Sequence, residues 1–245
     1  MPVLYGIHAV LEALRSRADN IEQLCVERGQ KNPRIGEILE LARQRHIRIS
    51  FEERSWLDRK AAGARHQGVL CYAAEMDTFE MEEILRRAKS PGLLVVLDGI
   101  EDPNNVGAIL RSAEAAGADG IFLPQHRSAG LSAAVVKASA GAASHVKVSR
   151  VPNVARLLEA LKKNGFWTAG LDASSRRRIW ETDLTVPLAL VLGNEGRGLH
   201  RLVREKCDFM VSLPIRGNVD SYNVSVAAGI ALYEVLRQRA GAGRE

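Results

Sequence analysis

Hydrophobic residues recur along the chain with two alternating spacings. In some segments every third or fourth residue is apolar, which is typical of a helix with one buried face. Between these segments lie short apolar runs of strand length. We predict helices at residues 7–14, 35–42, 106–116 and 222–239, and strands at residues 23–26, 47–51, 68–73, 93–97, 120–123, 146–148, 167–170, 188–192 and 209–213. This alternation predicts an α/β fold with a mostly parallel sheet that helices cover on both faces.

A change of composition near residue 76 divides the chain. Residues 1–75 form a small α/β pattern of a size that can fold alone. Residues 76–90 carry acidic and then basic side chains and are followed by a Pro-Gly pair, so we predict a linker there. Residues 91–245 begin a new series of strands and helices, which we predict to be a second, larger domain.

The composition is that of a globular protein with a slight preference for anionic partners. Of the 245 residues 46% are hydrophobic, so the chain can bury a core. The 34 Lys and Arg exceed the 29 Asp and Glu, which gives a net charge of +5 and weakly favours a polyanion such as nucleic acid. No apolar run approaches the roughly 20 residues of a membrane span, and the first residues lack the pattern of a secretion signal. The sequence therefore predicts a soluble cytoplasmic protein with no membrane partner.

The cysteines and histidines indicate neither a disulfide framework nor a metal centre. Cys25, Cys71 and Cys207 are odd in number and widely separated, so we expect reduced, buried thiols. The six histidines lack the spacing that places two ligands on one helical face. We predict no metal site.

Three polar or glycine-rich loops follow predicted strands, at the edge where open parallel sheets bind ligands. In the first, residues 98–111, Asn104 or Asn105 can cap the next helix. The second, residues 192–198, has the order Gly-x-x-Gly-x-Gly, which is not the dinucleotide fingerprint, and Glu195 is its only acid. The third, residues 213–225, ends in the sequence Ser-Tyr-Asn-Val-Ser.

Each loop taken alone has a structural explanation beside the functional one. Arg111 in the first loop suits a surface ion pair, and the asparagines and serines suit helix caps. The glycines suit a turn. The three loops together carry more information than any one of them.

The three loops resemble the motifs of the SpoU, or TrmH, branch of the SPOUT RNA methyltransferases. The matching pieces are residues 102–107 with Arg111, residues 193–198 and residues 221–225. Residues 5–10 and 66–69 resemble the start and end of the family's N-terminal substrate-binding domain, so the resemblance spans the chain. Within the family, the chain is most similar to the enzymes that methylate a guanosine ribose 2′-hydroxyl in the peptidyl-transferase region of 23S rRNA.

The resemblance implies a deep trefoil knot in the C-terminal domain, which is an exception to ordinary chain topology. It also implies S-adenosylmethionine as the cofactor, with no metal. Gly193, Leu213 and Tyr222 are the implied cofactor-binding residues, acting largely through backbone groups. The absence of a Cβ at Gly193 would permit close approach to the cofactor. The family usually has leucine where Tyr222 stands, so only a backbone contact carries over there.

The resemblance assigns the catalytic role to Arg111, with Asn105, Glu195 and Asn223 arranging the site. Arg111 either removes the proton of the 2′-hydroxyl or orients and stabilises the reacting group. The high ordinary pKa of arginine favours a cationic Arg111 that orients the hydroxyl and stabilises developing negative charge.

RNA, either 23S rRNA or a large-subunit precursor, is the implied partner, and the knotted domain is expected to form a homodimer. Phosphate contacts and base stacking each have several candidates. Ordinary solvation explains the arginines about equally well, whereas lone tryptophans more often pack in the core or at its rim. The candidates are Arg127, Arg197, Arg201 and Arg216 for phosphate, and Trp56, Trp167 and Trp180 for stacking.

Three alternative functions stay open at this point. A tRNA ribose methyltransferase would carry the same loops, although the N-terminal domain favours ribosomal RNA. A non-catalytic rRNA-binding assembly protein would need only the fold and the basic charge. A nicotinamide or flavin oxidoreductase fits the α/β pattern but lacks the early glycine fingerprint.

Overall fold

The computed structural model describes residues 3–16, 21–73 and 78–242. These residues form two compact units. The first consists of the described residues of Met1–Asp77 together with Leu131–His145, and the second consists of Thr78–Gly130 and the described residues of Val146–Glu245.

Strands and helices alternate through the described residues as predicted. The strands are β1 (Val3–Tyr5), β2 (Ile21–Glu27), β3 (Arg48–Glu52), β4 (Val69–Ala73), β5 (Leu93–Asp98), β6 (Gly120–Pro124), β7 (Val148–Val151), β8 (Trp167–Leu171), β9 (Leu188–Gly193) and β10 (Phe209–Val211). The helices are α1 (Ile7–Ser16), α2 (Pro33–Gln44), α3 (Arg54–Lys60), α4 (Met81–Arg87), α5 (Pro103–Ala115), α6 (Ala133–Ala138), α7 (Val154–Lys163), α8 (Arg201–Lys206) and α9 (Val224–Ala242).

The first unit has a mixed sheet with the strand order β1-β4-β2-β3. β4 is antiparallel to both of its neighbours, whereas β2 and β3 are parallel. The segment Leu131–His145 belongs to this unit through α6 and the residues that follow it. Lys137 lies 4.4 Å from the ring centre of Tyr5, and His145 is hydrogen-bonded to Glu12 at 3.0 Å. That hydrogen bond lowers the pKa of the Glu12 carboxyl.

The second unit is built on a parallel sheet with the strand order β10-β8-β9-β5-β6-β7. All of its strand pairs are parallel, which confirms the predicted fold class. Every residue of β5 is buried, as expected for a strand covered on both faces. β5 pairs with β9 in a register that sets Asp98 beside Gly193. The first and second loops therefore leave the sheet side by side.

The structure places a helix inside the predicted linker. α4 carries Ile84, which is fully buried in the core of the second unit. A Cβ on Gly120 would lie only 2.4 Å from Ile84 Cγ2, so β6 and α4 are in close contact. Sequence analysis missed α4 because it is short and exposes mostly charged side chains. The predicted domain boundaries stay a prediction, and the one between residues 75 and 76 lies outside the described residues.

Smaller differences concern element ends and the cysteines. β7 begins at Val148 and not at residue 146 as predicted, and α9 begins two residues later than predicted. The cysteines are free, and Cys25 and Cys71 are buried as expected. Burial raises the pKa of the Cys71 thiol to about 12. Among the described residues, no helix has both the length and the apolar character that a bilayer-spanning segment needs.

Arg239, near the end of α9, holds four backbone carbonyl groups of the second unit. Its guanidinium donates to Pro91 O at 2.8 Å, Gly92 O at 2.9 Å, Val186 O at 2.9 Å and Leu184 O at 3.3 Å. Burial lowers the pKa of Arg239. The last helix is thereby fixed to the segments that lead into the two central strands, β5 and β9.

We expect Arg239→Gln to lower the free energy of unfolding by about 2–4 kcal/mol, because it removes the half-buried guanidinium whose four hydrogen bonds hold the segments before β5 and β9. The matched control is Arg237→Gln, since Arg237 is exposed and, among the described residues, pairs only with Glu234 on its own helix. Its cost is expected to stay below about 1 kcal/mol. Urea unfolding followed by tryptophan fluorescence measures both variants, and equal losses would contradict the role given to Arg239.

Candidate active site

The first loop turns at Gly99 and leads into α5, whose cap differs from the one predicted. Neither Asn104 nor Asn105 caps the helix. Asp102 does so, because its side chain accepts a hydrogen bond from Asn104 N at 3.0 Å. Asn105 lies within the first turn of the helix and is buried. Its side chain is therefore free of the capping role and contacts the second loop.

The second loop closes on itself directly after β9. Asn194 N donates to Gly198 O at 3.0 Å, and Gly198 N donates to Asn194 O at 2.8 Å. This closure brings backbone atoms so near Gly193 that a Cβ there would lie 2.3 Å from Gly198 C and 2.4 Å from Leu199 N. The sequence suggested that Gly193 admits a cofactor, whereas the structure shows that glycine is needed by the chain's own backbone.

The third loop ends where Asn223 caps α9. The Asn223 Oδ1 accepts hydrogen bonds from Ser225 N at 3.0 Å and Val226 N at 3.3 Å, and from Ser225 Oγ at 2.6 Å. Helix capping, which the sequence analysis gave as the structural explanation for these residues, is thus confirmed at Asn223. The amide nitrogen of the same side chain remains available for a second set of contacts.

One carboxylate oxygen joins the three loops. Glu195 Oε1, in the second loop, accepts from Asn105 Nδ2 at 3.0 Å and from Val224 N at 3.2 Å, and it is in close contact with Asn223 Nδ2. Asn223 Nδ2 also lies 3.0 Å from Asn105 Oδ1. We call Asn105, Glu195 and Asn223 the carboxylate junction. The position of Glu195 at the first turn of α9 suits a negative charge, because free amides and the helix dipole meet it there.

A cleft of about 350 Å³ opens beside the carboxylate junction. Gly193, Leu213 and Tyr222, which the sequence proposed for cofactor binding, all line this cleft, and Glu195 does so too. Backbone groups of the glycine-rich second loop form one wall. The structure therefore brings the proposed cofactor residues together around one space.

Arg111 is not part of this assembly within the described chain. It lies on α5 and is exposed. At about 100° per residue, the six positions between Asn105 and Arg111 turn it to another side of the helix. Its guanidinium makes no hydrogen bond or ion pair with any described residue. The structure thus leaves the predicted catalytic arginine free for an external group and does not test its role.

Sequence analysis missed an ion pair at the wall of the cleft. Asp172 follows β8 and is in close contact with Arg204 of α8, and both residues line the cleft. Arg204 also lies 3.4 Å from Ser174 Oγ. The rule that ligands bind after the carboxyl ends of strands applies equally to β8, so it could have identified Asp172.

The candidate RNA-contacting side chains differ in their exposure and in whether another described residue pairs with them. Among the four arginines Arg201 pairs with Glu205 at 2.6 Å, whereas Arg127, Arg197 and Arg216 are exposed without an ion pair among the described residues. Two of the tryptophans, those at positions 167 and 180, are each 51% exposed. The guanidinium of Arg178 lies over the ring of the second of these. Their roles in RNA binding stay predictions.

Comparison with known proteins shows similarity along almost the whole chain. Residues 92–233 match the SpoU rRNA Methylase family, and residues 3–79 match the family of RNA 2′-O ribose methyltransferase substrate-binding domains. The 23S rRNA (guanosine-2′-O-)-methyltransferase RlmB of Pseudomonas putida is 40% identical, with 96% of each chain covered. YacO of Bacillus subtilis, assigned to the TrmH family tRNA/rRNA methyltransferases, is 42% identical over 96% of this chain and 94% of its own.

Solved structures of related enzymes share the fold. The SpoU methyltransferase AviRb from Streptomyces viridochromogenes, in complex with its cofactor AdoMet, has a TM-score of 0.81 and 26% identity, covering 98% of this chain and 90% of its own. The TrmH/SpoU tRNA modifying enzyme of A. aeolicus has a TM-score of 0.57 and 30% identity. It covers 66% of this chain and 81% of its own.

We expect Gly193→Ala to destabilise the protein by about 1–3 kcal/mol, because the added Cβ overlaps the backbone of the closed second loop. Binding of S-adenosylmethionine should weaken at least tenfold, since the cleft wall must shift. Gly196→Ala is the matched control, because a Cβ there meets nothing nearer than Asn194 Oδ1 at 3.7 Å. Thermal unfolding and calorimetric titration with the cofactor compare the two variants, and a tolerated Gly193→Ala would refute the backbone constraint.

Glu195→Gln should lower the free energy of unfolding by about 1–3 kcal/mol, since it removes the charge that strengthens three hydrogen bonds. Cofactor affinity is expected to fall with it, because the loops that line the cleft are no longer held together. Glu114→Gln on α5 provides the control, as Glu114 is exposed and has no side-chain partner among the described residues. Unchanged stability and unchanged cofactor affinity in Glu195→Gln would contradict the account of the junction.

Proposed function

This chain belongs to the SpoU rRNA methylase family, and we propose that it methylates the ribose 2′-hydroxyl of a guanosine in 23S rRNA, within the peptidyl-transferase region. The observation that carries the proposal is the 40% identity to an RlmB enzyme across both units of the chain. The carboxylate junction supports it, because all three of its side chains are present and in contact. A fold alone would not support an activity, whereas side chains brought together at one site do.

The cleft fits S-adenosylmethionine in size and chemistry. Its volume of about 350 Å³ lies in the range of small-molecule sites. Leu192, Leu213 and Ile215 offer apolar surface for a flat adenine ring. Glu195 and Asp172, which pairs with Arg204, line the cleft, and we propose that their carboxylates face the positive charges of the cofactor. We propose that Gly193, Leu213 and Tyr222 hold it through backbone groups.

When bound, the cofactor supplies a methyl group that an oxygen nucleophile can attack. The chain's own contribution is to position the two bound groups. Positioning can account for much of the reduction in the barrier to their reaction. The carboxylate junction fixes the three loops, so that the walls of the cleft keep one arrangement. No bond to the protein is made or broken.

Arg111 acts on the RNA side of the reaction in this proposal. Its guanidinium has no partner among the described residues, so its donors are available to the target ribose or an adjacent phosphate. A cationic Arg111 orients the 2′-hydroxyl and stabilises negative charge that develops on the oxygen as its proton passes to solvent water. The high ordinary pKa of arginine favours this role over direct proton removal.

We further propose that residues 1–75 bind the RNA, that residues 91–245 hold the cofactor in a trefoil knot, and that two copies pair through the knotted domain. An apolar stripe on α9 supports the pairing. Val226, Ile230 and Tyr233 recur at the spacing of one helical face and are 50%, 41% and 70% exposed. Exposed apolar side chains in a continuous stripe are typical of an interface.

A tRNA substrate is the second candidate, since YacO is assigned to a tRNA/rRNA family. The A. aeolicus tRNA modifying enzyme covers only 66% of this chain, whereas the RlmB relative covers 96%. That difference favours ribosomal RNA.

The substrate is tested with tritiated S-adenosylmethionine and two unmodified transcripts, 23S rRNA and a tRNA pool. We expect label at one guanosine of 23S rRNA, where the modified ribose resists alkaline cleavage, and none in tRNA. Label in tRNA alone would replace this proposal with the second candidate. No label in either transcript, nor in a large-subunit precursor particle, would favour a non-catalytic binding protein.

Arg111→Ala should reduce methyl transfer about 100-fold or more while leaving cofactor affinity within about twofold, because Arg111 acts on the RNA and does not line the cleft. Arg111→Lys keeps the charge but loses the planar fork, so we expect only partial activity. Arg86→Ala, an exposed arginine on α4, controls for the loss of one positive charge. Full activity in Arg111→Ala would remove Arg111 from the mechanism.

A further inference from the structure

A second cavity of about 490 Å³ lies on the other side of the second loop from the cofactor cleft. Asn194, Arg197, Gly198 and Leu199 line both spaces, so the loop forms a shared wall. The remaining walls come from the residues that follow β5 and β6 and from the start of α8. The cavity therefore lies at the carboxyl edge of the sheet, directly beside the cofactor cleft.

A buried carboxylate fixes one side chain of this cavity. Asp98, the last residue of β5, is only 4% exposed. It accepts a hydrogen bond from His200 N at 2.7 Å and lies 2.9 Å from His200 Nδ1. Because the carboxylate is the acceptor, Nδ1 carries a proton and the ring is held in one orientation. The other ring nitrogen, Nε2, has no described partner and is available to a ligand.

Two free guanidinium groups belong to the same cavity. Arg127 follows β6 and holds a left-handed backbone, with φ of +55°. Arg197 belongs to the second loop. Both side chains are exposed and have no ion pair among the described residues. Glu101 is the one unpaired carboxylate among the residues that line the cavity.

We propose that this cavity binds a phosphodiester group of the RNA next to the ribose that is methylated. Arg127 and Arg197 pair with the phosphate oxygens, and His200, positioned by Asp98, donates a further hydrogen bond from Nε2 when its ring is the imidazolium. A planar guanidinium can donate two parallel hydrogen bonds to two oxygens of one phosphate. Phosphate contacts fix the register of a nucleic acid on the protein. A phosphate held here would place the neighbouring ribose at the shared wall, next to the cofactor cleft.

The inference rests on the proposed function for the identity of the RNA and of the methylated ribose. The cavity could instead hold a base, and Glu101 distinguishes the two occupants. A carboxylate repels a phosphate, so Glu101→Gln should improve RNA binding if a phosphate lies in the cavity. A guanine edge donates hydrogen bonds to a carboxylate, so the same variant should weaken binding if a base lies there.

The first test measures equilibrium binding and methyl transfer with the 23S rRNA transcript. We expect Arg127→Gln to raise the Kd and KM for RNA about tenfold and to reduce the slope of log affinity against log salt by about one. Cofactor affinity and kcat should stay within about twofold, because Arg127 does not line the cofactor cleft. Arg86→Gln on α4 is the charge-matched control and should change neither constant.

Equal effects of Arg127→Gln and Arg86→Gln would overturn the inference, and so would weaker RNA binding by Glu101→Gln. Equilibrium binding separates this result from a failure of the proposed function. If the wild-type protein binds the transcript but methylates no RNA, the proposed function fails. The slopes of log affinity against log salt for the wild-type and Arg127→Gln proteins still test the phosphate site.

The second test replaces single phosphates with neutral methylphosphonates on either side of the mapped guanosine in a synthetic RNA. One of the two replacements should weaken binding by the wild-type protein about tenfold and have little further effect on Arg127→Gln. His200→Gln should lose part of the RNA affinity that Arg127→Gln loses, and its cofactor affinity should be unchanged. Equal penalties for the wild-type and Arg127→Gln proteins at both positions would contradict the inference.

Discussion

The arrangement of the site depends on one oxygen atom, Glu195 Oε1. This oxygen belongs to the second loop, and it accepts hydrogen bonds from donors of the first and third loops. Two of these donors belong to Asn105 and Asn223, which also contact each other. Donors that converge on one carboxylate oxygen form a network whose hydrogen bonds depend on one another. The junction therefore couples the loops, and the cofactor cleft is the space that they enclose.

The sheet makes this convergence possible, because its register sets the loops close together. β5 and β9 pair so that Asp98 and Gly193 are neighbours, and the chain leaves both strands at the same edge. The second loop then folds back on itself so tightly that Gly193 can carry no side chain. The same loop separates the cofactor cleft from the cavity that contains Arg127 and His200. In our proposal, this wall serves the cofactor on one side and a phosphate of the RNA on the other.

Much of the sheet could be predicted from the sequence, because its strands are buried on both faces and form continuous apolar runs. The return of Leu131–His145 to the first unit could not, since it depends on contacts between distant residues. α4 was missed for a different reason, because only a few of its residues are apolar and its charges favour a linker. The three loops were identified by their residue types and by their order along the chain. The pattern of a single strand or helix does not contain that information.

Details within the site depend on geometry that a pattern does not contain. Asp102, not Asn105, caps α5, and this leaves the Asn105 amide for the junction. The need for glycine at position 193 comes from the fold of the loop itself. The pairing of Asp98 with His200 joins residues 102 positions apart, and neither residue stands out by type.

A double-mutant cycle between Glu195→Gln and Asn105→Ala, read as the free energy of S-adenosylmethionine binding in calorimetric titrations, tests the junction most directly. If one carboxylate oxygen couples the loops that form the cleft, the two substitutions should be non-additive by at least about 1 kcal/mol. Additivity within about 0.3 kcal/mol would show that the loops hold the cofactor independently, and it would contradict the account.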